Sequence, residues 1–125
     1  MKHAVEQLKE FHEKFGVPIL EKPTIPAWKR INLRHSLIRE ESEELLRGIE
    51  SGDLPEIADG IADLIYVCLG TALEFGIPIE EVWEEVHRTN MAKINGGENG
   101  AGKIQKPKDW VPPDVVGILE RAKQY

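Results

Sequence analysis

The chain has 125 residues, 41% of them hydrophobic, and a formal net charge of −6. That length suits one domain around one core, and the acidic balance excludes a surface built for non-specific nucleic-acid binding. No apolar run approaches the roughly 20 residues of a membrane span, and the lone Cys68 leaves neither an internal disulfide nor a cysteine-rich zinc site.

The start, Met1-Lys2-His3-Ala4-Val5-Glu6, lacks the apolar stretch of a signal peptide, so a cytoplasmic protein is expected. Charge is unevenly placed. Residues 1–85 carry 18 acidic and 9 basic side chains, and residues 86–125 carry 4 and 7. A basic tail could thus offer cations that the acidic body lacks.

The spacing of Val5, Leu8, Phe11 (or His12) and Phe15 predicts a first helix over about 2–15, stopped by Gly16 and Pro18. Pro18, Pro23 and Pro26 make 16–27 an extended connector. A second helix is predicted from about Ala27 to Ile49, with Ile31, Leu37, Ile38, Leu45, Leu46 and Ile49 apolar, and Ser51-Gly52 ends it. Asp53 can cap a third helix, with Glu56 answering as a capping box. That helix continues to about Phe75, with Gly76 as its left-handed cap. It is apolar on nearly all sides between Ile61 and Ala72, so it is expected to be the buried central helix, with Cys68 a core thiol.

Pro78 suits the first turn of a fourth helix over about 78–93, with Val82, Val86 and Trp83 candidates for its inner face. Glu80, Glu81, Glu84 and Glu85 suit its positive end. Residues 95–102 read as a flexible glycine-rich loop, 103–108 as a basic extended strip, and about 114–123 as a short helix. The predicted architecture is all-α: one domain over 1–125, with a four-helix bundle core, an irregular Gly-rich basic C-terminal tail and a short terminal helix.

The chemistry lies in Arg39-Glu40-Glu41-Ser42-Glu43-Glu44-Leu45 and Asp59-Gly60-Ile61-Ala62-Asp63. Glu41 and Glu44 are three apart, Glu40 and Glu44 four apart, and Asp59 and Asp63 four apart, so each set shares a helix face. Such like-charge pairs cost about 0.2–0.5 kcal/mol each in an isolated helix. Facing one another in a bundle they would need a cation, and an all-oxygen set favours Mg²⁺, or Mn²⁺, over zinc. Mg²⁺ bound this way usually completes its shell with phosphates, which points to phosphoryl chemistry. The plain alternative is a solvated acidic face.

These residues resemble the MazG-like all-α nucleoside triphosphate pyrophosphohydrolases, relatives of phosphoribosyl-ATP pyrophosphohydrolase and the dimeric dUTPases. Their signature is ExxE on one helix and ExxD on the next. Glu41 and Glu44 match the first half and Asp63 the closing aspartate, while the second-helix glutamate falls on Gly60. Similar texture continues in Phe11-His12-Glu13-Lys14-Phe15-Gly16, Pro23-Thr24-Ile25-Pro26, Glu85-Val86-His87-Arg88-Thr89-Asn90-Met91-Ala92-Lys93, and from Gly102 to Asp114.

The resemblance implies hydrolysis of a nucleoside triphosphate, such as dUTP or another unwanted nucleotide, to the monophosphate and pyrophosphate. Glu41, Glu44 and Asp63 would hold Mg²⁺, with Asp59 supplying the carboxylate missing at Gly60 or orienting a water. Glu40 would be the catalytic base. Asn90, Lys93, Lys103, Lys106 and Arg34 are the expected phosphate contacts, although Lys93 could instead answer its helix dipole and Asn90 be ordinary surface. Phosphoribosyl-ATP is the alternative substrate, and a helical oligomeric binding protein without turnover the alternative class. The expected partners are a nucleotide and further copies of the chain, as a homodimer or homotetramer.

Overall fold

The computed structural model describes residues 1–124, and its regular secondary structure is helical. Among these residues there are five helices and no strand, beyond one isolated bridge between Glu98 and Ile104. The all-α class and all five expected helices are present. The chain forms two compact units, Met1–Ile77 and Pro78–Tyr125.

The first unit holds α1 (Lys2–Phe15), α2 (Trp28–Ser51) and α3 (Leu54–Glu74). The long α2 and α3 form an antiparallel hairpin around Gly52, whose φ of 67° lets it close α2. Asp53 begins α3 by accepting from the Glu56 amide at 3.2 Å. The box is only half made, because the Asp53 amide goes back to the Gly48 carbonyl at 3.1 Å.

The hairpin register can be followed residue by residue. Gly48 lies against Glu56 and Ile57, Leu45 against Gly60, and Arg34 against Gly70. Arg30 reaches Glu74 at the far end. Residues 16–27 then run beside the end of α3, tied by Leu20 N–H to the Leu73 carbonyl and Thr24 N–H to the Phe75 carbonyl, both 2.9 Å.

The core of this unit is Val5 and Leu8 of α1 with Leu69, Ala72 and Leu73 of α3. His12 takes the third core position on α1, while Phe11 and Phe15 are exposed. Three apolar expectations are corrected. Ile61 and Ile65 of α3 are 46% and 50% exposed, so its middle is not buried within the chain. Cys68 is exposed rather than a core thiol. On α4 (Ile79–Met91), Trp83 and Val86 are exposed and Thr89 is the buried residue. In each case the apolar residue stands on a face that this chain leaves exposed.

The second unit contains α4 and α5 (Val115–Gln124). Trp110 Nε1 donates to the Thr89 carbonyl at 2.7 Å. Glu85 pairs with Arg88 at 2.8 Å and accepts the Asp114 amide at 2.7 Å, tying α4 to the start of α5. The glycine-rich segment is a small closed turn. Asn99 Oδ1 accepts from the amides of Ala101 and Lys103, and Gln105 N–H donates to the Gly97 carbonyl. The basic strip is therefore folded back on that turn. Among the described residues, no single helix is long and apolar enough to cross a membrane.

Candidate metal centre

The α2–α3 hairpin brings three carboxylates together. One oxygen each from Glu41, Glu44 and Asp63 lies within 4.8 Å of the others. Glu41 and Glu44 are three apart on α2, so their side chains leave the same face. Asp63 meets them because the antiparallel register sets it across from that turn. Glu44 is exposed, while Glu41 and Asp63 are half-buried.

The close approach has a visible cause. A Cβ at Gly60 would stand 3.1 Å from Leu45 Cα, 3.2 Å from its Cβ and 3.3 Å from its Cδ1. The backbone of α3 rests directly on α2 there, one residue beyond Glu44.

The cluster is electrostatically unsatisfied. Burial raises the Glu41 pKa, and the charges of Glu44, Asp63 and Glu40 raise it further. Burial, then the neighbouring Asp59 carboxyl and Glu44, does the same for Asp63. Glu41 Oε2 is buried with no hydrogen-bond partner among the described residues. Buried polar atoms normally find a partner. Three convergent carboxylates, an orphaned oxygen and an all-oxygen donor set fit a hard divalent cation.

Of the other expected site residues, Asp59 has its carboxyl beside that of Asp63, outside the group of three. Glu40 is exposed next to Glu41. Arg34 is a correction. It is buried and donates from Nε to Glu74 Oε1 at 2.7 Å, with Arg30 Nε on the other oxygen at 2.8 Å. Its donors serve a structural ion pair, because Glu74 is fully buried and a charge there needs partners. Asn90, Lys93, Lys103 and Lys106 belong to the second unit. Lys93 and Lys106 place their ammonium groups 5.3 and 5.4 Å from the Trp110 ring centre, within cation–π range. Asn90 and Lys103 are exposed.

Sequence reasoning missed two features of the first unit. Glu74 lies at the end of an apolar helix, and Arg30 and Arg34 are four apart. That pattern could have signalled a buried ion pair. An open groove of about 360 Å³ beside Glu44, lined by Arg47, Gly48, Ser51 and Glu56, had no signal in the sequence.

A family model for phosphoribosyl-ATP pyrophosphohydrolase matches residues 8–90, which include all three carboxylates and the helices that carry them. The chain belongs to this family, one of the MazG-like all-α nucleoside triphosphate pyrophosphohydrolases. It is accordingly a nucleotide pyrophosphohydrolase, a hydrolase acting on phosphoric anhydride bonds. No curated protein matches the chain.

Proposed function

We propose that the chain hydrolyses a free nucleoside triphosphate, dUTP or another unwanted nucleotide, to the monophosphate and pyrophosphate. Family membership supports the reaction class. The observation that carries the reading of the site is the convergence of Glu41, Glu44 and Asp63 within 4.8 Å.

Glu41, Glu44 and Asp63 would hold Mg²⁺, with Mn²⁺ able to replace it, and Asp59 would orient a water beside Asp63. Bound there, the ion supplies Lewis-acid polarisation of phosphate oxygens and a lowered pKa for water. Glu40, exposed beside the cluster, accepts the proton of the attacking water. The groove beside Glu44 offers Arg47 to the phosphate tail. Asn90, Lys93, Lys103 and Lys106 remain the proposed phosphate contacts from the second unit.

Phosphoribosyl-ATP is the second reading, favoured by the description of the matching family.

We further propose that the protein is a homodimer or homotetramer. Ile61, Ile65 and Cys68 form one exposed stripe on α3, and Leu46 and Ile49 on α2 are also exposed. Contiguous apolar surface of this kind is ordinarily covered.

Pyrophosphate release from a panel of triphosphates and phosphoribosyl-ATP, with Mg²⁺ and with Mn²⁺, tests the assignment. Turnover of one or more free triphosphates without phosphoribosyl-ATP turnover supports it. Turnover of phosphoribosyl-ATP alone selects the second reading.

A further inference from the structure

Position 60 is where a signature carboxylate would be expected, and the chain has glycine there. The contacts explain why. Gly60 is buried, and the nearest atoms to an added Cβ include the Cα of Leu45, which belongs to the helix itself and cannot swing aside. Distances of 3.1 to 3.3 Å to three Leu45 atoms are tighter than ordinary contact, so a side chain here requires the Leu45 backbone to give way slightly relative to α3. Leu45 directly follows Glu44, and Gly60 precedes Asp63 by less than one turn. The contact therefore lies at the height of the carboxylate cluster.

We propose that Gly60 is a positioning residue of the site: its missing side chain fixes the α2–α3 separation at which Glu41, Glu44 and Asp63 can share one divalent ion. This rests on the metal reading above. A carboxylate at position 60 is not a missing ligand in this chain. Introduced there, it wedges the helices apart and pulls Asp63 away from its partners. Site geometry of this kind tolerates little displacement, since metal ligands must converge within a few tenths of an ångström.

Gly48 provides the internal comparison. It is also buried between the same helices, and a Cβ there would stand 3.3 Å from Glu56 Cβ and Ile57 N. It lies towards the turn of the hairpin, on the far side of the Leu45–Gly60 contact from Glu41. Side chains at 48 and 60 strain the same helix pair, the one at 60 against Leu45 directly after Glu44 and the one at 48 a full turn beyond Glu44, towards the hairpin's turn.

The experiment measures Mn²⁺ binding to the full chain by titration calorimetry, and thermal midpoints in chelator, for wild type, Gly60→Ala, Gly60→Glu and Gly48→Ala. Both alanine variants are expected to lower the midpoint in chelator. Gly60→Ala should weaken Mn²⁺ binding by tenfold or more, Gly48→Ala by less than threefold, and Gly60→Glu should bind no more tightly than Gly60→Ala. Equal affinity losses at 48 and 60, an unchanged affinity in Gly60→Ala, or tighter binding in Gly60→Glu would overturn the assignment. Absence of Mn²⁺ binding by wild type would instead remove the metal reading, and this inference with it.

Discussion

Arg34 and Glu74 are joined inside the α2–α3 hairpin, Nε to Oε1 at 2.7 Å, with Glu74 fully withdrawn from solvent. Burial by itself raises the pKa of Glu74, but hydrogen bonds from Arg30 and Arg34 outweigh it and the net shift is downward. Removing the charge leaves the buried Arg34 guanidinium without a counter-charge, beside the partly exposed Arg30. Glu74→Gln is expected to cost roughly 3–5 kcal/mol, the range for breaking a buried pair. Chemical denaturation checks this, and a loss under 1 kcal/mol would contradict it.

His12 sets a pH window for the same region. Its Nδ1–H donates to the Pro18 carbonyl at 3.1 Å. Burial lowers its pKa, the Pro18 bond opposes this, and the charges of Arg34, Glu74 and Arg30 all reach the ring. The unfolded chain takes up a proton below about pH 6.5, while folded His12 resists it until lower pH. Stability is therefore lost as pH falls from 6.5. Glu74, lowered in the fold, adds a second loss that begins below its ordinary value of 4.5. Between pH 7.5 and 5 the thermal midpoint should have a more strongly falling slope in wild type than in His12→Asn, which keeps a donor for Pro18. An equal slope in the variant would exclude His12 as its source.

Glu41 should behave in opposite ways with and without metal. Its pKa and that of Asp63 are raised, so the folded chain without metal loses stability as pH rises through those values. Glu41→Gln removes one repelling charge. Its thermal midpoint in chelator should equal or exceed that of wild type, while the rise given by Mg²⁺ or Mn²⁺ should disappear. A variant that is less stable in chelator, yet still stabilised by the ion, would contradict this.

Much of this was legible in the sequence, and the misses have physical causes. Helix positions followed from apolar period, Gly16 and Gly52 as stops, and Asp53 as cap. The Glu41, Glu44 and Asp63 grouping followed from helical spacing and the family signature. Arg34 was misread because spacing places a residue on a face but does not say what faces it, and Glu74 lies 40 residues away. The exposure of Ile61, Ile65 and Cys68 was misread because an apolar helix signals burial without saying whether the chain itself supplies the cover. The role of Gly60 depends on a backbone contact with Leu45 that no pattern in one sequence records.

Cys68 reports on that uncovered face. It shares a stripe with Ile61 and Ile65 at helical spacing and is exposed in the single chain. In the proposed oligomer, reaction with a thiol reagent should be slow at micromolar concentration and quicken on dilution. Fast stoichiometric labelling together with a monomeric mass in light scattering would count against the oligomer.

Glu85 ties the second unit together. Hydrogen bonds from Arg88 and from the Asp114 amide hold its pKa at about 2, so it stays charged across the working range. Glu85→Gln should speed hydrogen exchange at Asp114 and through the first turn of α5. Unchanged exchange would show that the tie does not hold α5 in place.

The most direct test is the Mg²⁺ dependence of pyrophosphate release in wild type and in Asp63→Asn, with circular dichroism confirming equal helix content. The account predicts release from at least one nucleotide that needs the added ion and falls by a hundredfold or more in the variant. Full activity in folded Asp63→Asn would show that the three-carboxylate cluster is not the catalytic centre.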